Sequence, residues 1–144
     1  MRLAACVLVG FAGVAIAQPT APPPPVNAVS TPIVRTDKTI SGQFLKLPPG
    51  KAEVAAAAIE IPPGGATAIH QHPWTRIVYV ERGPVRIINH DTGENRDFQS
   101  GEIIPEVVAQ WHEGRATGPA PARLIVIDLV PPGVNNTVMA PGKM

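Results

Sequence analysis

The residues best placed to do chemistry are two histidines, His70 and His72, within PPGGATAIHQHPWTRIVYVERG, residues 62–83. Alternate side chains of a strand leave the backbone on one face. A strand through this pair therefore sends both imidazoles to the same side, close enough to share a metal ion. Trp74 and Trp111 stand near histidines and could wall a ligand pocket, although Trp more often packs in a core or rim. Arg76 follows four residues after His72 and brings a cation that proteins do not deprotonate.

The segments around the pair read as short strands and tight turns. Pro62-Pro63-Gly64-Gly65 turns the chain, Ile77-Val78-Tyr79-Val80 reads as a second strand, and Gly83-Pro84 turns it back. Further strands are expected at 43–47, 53–61, 67–72, 76–81, 85–90, 95–98, 110–117 and 123–130. No window sustains a capped helical period. Ala55 to Ala58 has helical propensity, but Pro62-Pro63 ends a segment too short for a helix. Many short strands with frequent turns make an all-β sandwich or barrel. The strands at 77–80 and 124–127 are apolar on both faces, so their outer face needs a cover. N-terminal strands or a second subunit would supply it, and a homodimer is the preferred reading.

The 144 residues suit one folded domain. A basic Arg2, an apolar run and Ala15-Ile16-Ala17 form the pattern of a secretory signal peptide over residues 1–17. Its apolar run falls short of the roughly 20 residues that span a bilayer. Residues 18–32 form a Pro-rich linker, 33–133 the folded barrel and 134–144 a C-terminal tail with little packing content. The single cysteine, Cys6, would leave with the signal, removing any thiolate ligand or nucleophile. Without Arg2 the twelve basic residues become eleven, equal to the eleven acidic ones. That balance, with no basic cluster, argues against nucleic acid or an anionic membrane as partner. The expected localisation is secreted or periplasmic.

The central stretch resembles the first motif of the cupin superfamily. That motif runs Gly, five residues, His-x-His, three or four residues, Glu, six residues, Gly. Gly64, His70, His72 and Gly83 match it, and Arg76 stands where the Glu belongs. The second motif runs Gly, five residues, Pro-x-Gly, two residues, His, three residues, Asn. Gly101 and His112 match, while Val107, Ala109 and Ala116 replace the Pro, Gly and Asn. The resemblance implies a double-stranded β-helix, or jelly-roll barrel, that brings His112 to His70 and His72. Three neutral imidazoles suit a divalent transition metal: Fe, Mn, Ni, Cu or Zn.

Arg76 leaves three readings open. It turns away from a three-His site; it grips an anionic substrate bidentately; or the site is degenerate. Strand parity sends Arg76, Val78 and Val80 to one face and Glu81 to the other, and sets Glu113 opposite His112. Glu102 and Glu106 lie in a turn-rich stretch where either could reach in. Gln110 shares the face of His112, and His90 reads as a surface turn residue. The expected function is a secreted metal-binding cupin acting on a small, anionic molecule, by dioxygenase-, lyase- or isomerase-like chemistry. The alternative is a non-catalytic small-ligand or sensory cupin. No catalytic residue is evident, and the chain alone does not decide between enzyme and binding protein.

Overall fold

The computed structural model describes residues 27–142. The expected signal peptide, and the linker up to residue 26, lie outside them. Among the described residues, those from Thr31 on form one compact unit. Among the described residues there are nine strands and no helix. They are β1 (Glu53–Ile61), β2 (His70–Gln71), β3 (Arg76–Arg82), β4 (Val85–Asn89), β5 (Asn95–Phe98), β6 (Ile103–Pro105), β7 (His112–Ala116), β8 (Ala122–Val130) and β9 (Val138–Met139). They form two antiparallel sheets, ordered β1-β8-β3-β6 and β5-β4-β7-β2-β9.

The period-2 pattern of the sequence explains the core. In β8, Ala122, Leu124, Val126, Asp128 and Val130 are buried, and the residues between them are half-exposed. In β3 the buried set is Arg76, Val78 and Val80. With Ile61, Val85, Ile87 and Ile104 these apolar side chains fill the space between the sheets. Ile104 is fully buried, and truncating such a residue to Ala costs about 2–5 kcal/mol. The same inward face turns polar at one end, where Arg76 lies opposite Asp128 in the β3–β8 register. That end is the barrel mouth.

Of the three motif glycines that match, Gly64 and Gly101 have φ of +70° and +90°. A Cβ at either would meet nothing, so backbone conformation rather than space asks for glycine there. Ala109, where the motif has Gly, keeps the left-handed conformation with φ 53°.

Three expectations need correcting. Residues 43–47 form no strand; they contribute one bridge, Lys38 to Phe44, because the local amides and carbonyls are taken up by a turn at Thr39–Gln43 and by Asp37 and Thr75. The short β6 went unforeseen, since it is three residues long and ends in a proline. The segment from Val134 is no loose tail. β9 pairs with β2, Ala140 N–H donates to Ile69 C=O at 3.0 Å, and Asn136 is buried. Its small polar residues serve hydrogen bonding instead of apolar packing.

Candidate metal centre

His70 and His112 face each other directly across the β2–β7 pair. Directly paired residues project to the same side of a sheet. His72, two residues on from His70, projects the same way and is fully buried. The three ring centroids lie 4.6–4.9 Å apart. Their ligating nitrogens lie within 4.8 Å of one another.

Each ring is held by its Nδ1. His70 Nδ1 donates to Ala68 C=O at 2.7 Å, His72 Nδ1 to Asn136 C=O at 2.7 Å, and His112 Nδ1 to Gln110 C=O at 2.8 Å. Backbone carbonyls can only accept, so Nδ1 carries the proton in all three. That tautomer leaves the Nε2 lone pairs as ligands, as metal-binding imidazoles require. His112 Nε2 is buried and lacks a hydrogen-bond partner. A buried polar atom left unpaired is costly, and a metal ion would satisfy it. The three histidines are thus positioned to bind a metal.

Arg76 points inward and does not oppose that charge alone. Its Nε and Nη2 donate to the two carboxylate oxygens of Asp128 at 2.8 and 2.6 Å. Its Nη1 lies 3.2 Å from His72 Nε2. The fork that would grip an anionic ligand is therefore already occupied. Asn136 Nδ2 donates to Asp128 Oδ1 at 2.6 Å and to Trp74 C=O, and its Oδ1 accepts from Trp74 N–H. Burial alone would raise the Asp128 carboxyl, but Arg76 and Asn136 outweigh it and hold it below its usual range.

A carboxylate that sequence reading left unselected lies against the cluster. Glu106, in the loop after β6, is buried with Oε2 3.1 Å from His72 Nε2 and 3.8 Å from His112 Nε2. Burial pushes its pKa up; the contacts with His112 and His72 outweigh this and hold it well below the ordinary carboxylate range. Burial likewise pulls His112 down, and Glu106 more than reverses it. His70 differs: burial, then His112 and His72, lower it to about 4. It is a neutral imidazole across the physiological range.

The other nominated residues sit around this cluster. The Gln110 side chain accepts from Asn89 Nδ2 at 3.0 Å, while its carbonyl holds His112. Trp74 is half-buried with Lys46 Nζ 4.7 Å from its ring centroid. Trp111 lines a hollow of about 450 Å³ with Ile69, His90 and Pro141. None of the three metal-site histidines lines that hollow. A smaller cavity of about 170 Å³ is lined by His70, Arg76, Ile59, Thr137 and Met139. The smaller cavity is the one that touches a histidine of the cluster.

The cupin domain family matches residues 57–128, half of the chain. The chain belongs to that family. No curated protein matches this cupin in sequence. Among solved structures, it is similar to the oxalate decarboxylase of Lactobacillus farciminis in complex with formate, at 22% identity and TM-score 0.52, over 60% of this chain and 26% of that one. It is similar to the DMSP lyase of Ruegeria pomeroyi at 20% identity and TM-score 0.52, over 60% of this chain and 43% of that one. A Bacillus halodurans protein aligns at 22% identity and TM-score 0.51, over 60% of this cupin and 69% of that chain. These likenesses show the barrel. The aligned part spans about a quarter of the oxalate decarboxylase and under half of the lyase.

Proposed function

We propose that this cupin holds one divalent transition metal through His70, His72 and His112 and presents it to a small molecule. The observation behind this reading is the shared tautomer: three Nδ1 atoms tied to carbonyls, with three Nε2 atoms converging and one of them unpaired. A bound metal would supply a Lewis-acid or dioxygen site. The chain's own part is to orient the rings, to neutralise Arg76 with Asp128, and to limit what enters. The cavity beside His70, about 170 Å³, is below the 300–1,000 Å³ usual for drug-sized ligands. The ligand is therefore a small molecule of few heavy atoms. Oxalate decarboxylase and DMSP lyase among the structural neighbours act on molecules of that size, which supports the class and not a particular substrate.

The anionic character expected of the ligand now rests less on Arg76, whose fork is occupied by Asp128. Any role for Gln110, Trp74 or Trp111 in binding is one of shaping the mouth. A barrel that holds a metal is favoured over one with a lost site, since the three imidazoles are held ready to ligate. Secretion is part of the proposal through residues 1–17, and a mature protein starting at Gln18 would support it. So is self-association: Val54 is 66% exposed on β1, a sheet edge, and Ile77, Tyr79, Ile125 and Ile127 are only half-buried. Light scattering on the mature chain tests that part.

The test of the central reading is thermal unfolding of tag-free, EDTA-treated protein against a panel of divalent metals. A metal that binds the folded state at a hundred times its Kd adds about 2.7 kcal/mol of stability. At least one metal is expected to raise Tm in wild type and not in His70→Ala. If no metal moves the wild-type Tm, the reading fails.

A further inference from the structure

We propose that Glu106 is the fourth protein ligand of the metal centre, a carboxylate moved one strand across from the position that Arg76 occupies. The inference rests on the metal reading above and adds a residue to it.

The register carries the first half of the argument. β3 and β6 pair antiparallel with Ile77 opposite Pro105 and Val78 opposite Ile104. The next pair in that register is Arg76 opposite Glu106. Residues paired in this way project to the same face. Glu106 N–H also donates to Arg76 C=O at 3.0 Å, which fixes the backbone there. A carboxylate at 106 therefore starts from the strand next to 76 and enters the same mouth. Arg76 meanwhile turns to Asp128 on its other flank, in the β8 register position directly opposite.

The side-chain geometry carries the second half. Glu106 Oε2 lies 3.1 Å from His72 Nε2 and 3.8 Å from His112 Nε2. Both rings already donate their Nδ1–H groups to carbonyls. With the rings neutral, the two Nε2 lone pairs aim at an anionic oxygen, and a cation shared by the three atoms would hold that arrangement together. Two ligands at about 2.0–2.1 Å from one ion stand about 3.0–3.4 Å apart. The His72 separation falls within that range and the His112 separation lies just beyond it, so a small closure at His112 places all three atoms around one metal. Glu102 and Glu113, the alternatives, are engaged elsewhere. Glu102 accepts from the Gln99 amide, and Glu113 pairs with Arg115 at 3.0 Å.

The test is competitive titration of Zn(II) against a chromophoric chelator, using the full mature chain. Wild type, Glu106→Gln and the control Glu113→Gln are compared. Glu106→Gln is expected to keep one Zn(II) per chain but to bind it at least tenfold more weakly, with Glu113→Gln unchanged. Equal affinity in wild type and Glu106→Gln overturns the proposal while leaving the three-His reading standing. A wild type that binds no Zn(II), nor any other divalent metal, overturns both. Should Glu106→Gln fail to fold, the crystal structure of Zn-loaded wild type decides. A Glu106 oxygen at about 2.0–2.2 Å from zinc supports ligation, and one beyond about 3 Å contradicts it.

Discussion

The two halves of the candidate metal centre come from stretches that differ sharply as sequence and converge as structure. The first half, β2 to β3, matches its motif at Gly64, His70, His72 and Gly83, yet it brings a cation at Arg76. The second half, β6 to β7, keeps only Gly101 and His112 of its motif, yet it brings the buried carboxylate Glu106. The first half also leans on distant segments: Asp128 from β8 neutralises Arg76, and the Asn136 carbonyl orients His72. In the second half the ring is oriented locally, by Gln110 C=O, with Ala109 in the turn between Glu106 and His112. The lesson is that a motif records where groups usually sit, while the site needs only their charges and lone pairs in place.

This contrast can be broken most sharply at Asp128. Asp128→Asn leaves the guanidinium of Arg76 buried without its anion. Breaking a buried pair in this way costs about 3–5 kcal/mol, read as a lower urea midpoint. The exposed pair Arg86–Asp97 has the same bidentate form, with both side chains nearly half exposed. Asp97→Asn is therefore expected to leave the midpoint unmoved. Equal losses in the two variants would mean that burial at the mouth is not what distinguishes them.

Asn136→Ala is the next largest. It strips the partners of Trp74 N–H and one donor of Asp128, at about 1–3 kcal/mol. The side chain fixes the backbone at 136, whose carbonyl orients His72, so its loss is expected to lower metal affinity about 10–100-fold. Isothermal titration checks this, and an unchanged affinity would detach the tail from the site.

The pH response sharpens the same point. Asp128 has a folded pKa below its unfolded value. Its contribution is present above about pH 3.9 and is lost as pH falls through the lower folded value. Urea midpoints of metal-free wild type should thus drop more steeply below about pH 4 than those of Asp128→Asn. Parallel curves would show that the pair does not titrate as described.

The smallest effect is expected in the second half. Ala109 holds φ 53° at the motif's glycine position, and glycine adopts that backbone without strain. Ala109→Gly is expected to raise stability by up to about 1 kcal/mol. A loss instead would show that the left-handed turn is not strained.

Much of the barrel was legible because alternation is a strong signal. The runs at 53–61 and 95–98 became strands with those limits, and Arg76, Val78 and Val80 face inward together. The carboxylates were harder, though each left a trace. Asp128 lies two residues on from Val126 in an apolar strand, so parity turns it inward, where a charge needs a partner. Glu106 interrupts the apolar run Ile103-Ile104-Pro105-Glu106-Val107-Val108, but a charge beside a proline also suits an exposed turn. Asn136 left no trace. Its burial depends on residues 138–139 returning to pair with β2, and two-residue strands carry no periodicity.

The most direct test is elemental analysis of tag-free protein purified without added metal, comparing wild type with one ligand variant from each half, His72→Ala and His112→Ala. Close to one transition-metal ion per wild-type chain is expected, with background levels in both variants. Metal retained in His112→Ala, or a wild type that is empty and reloads with nothing, would contradict a centre built jointly by the two halves.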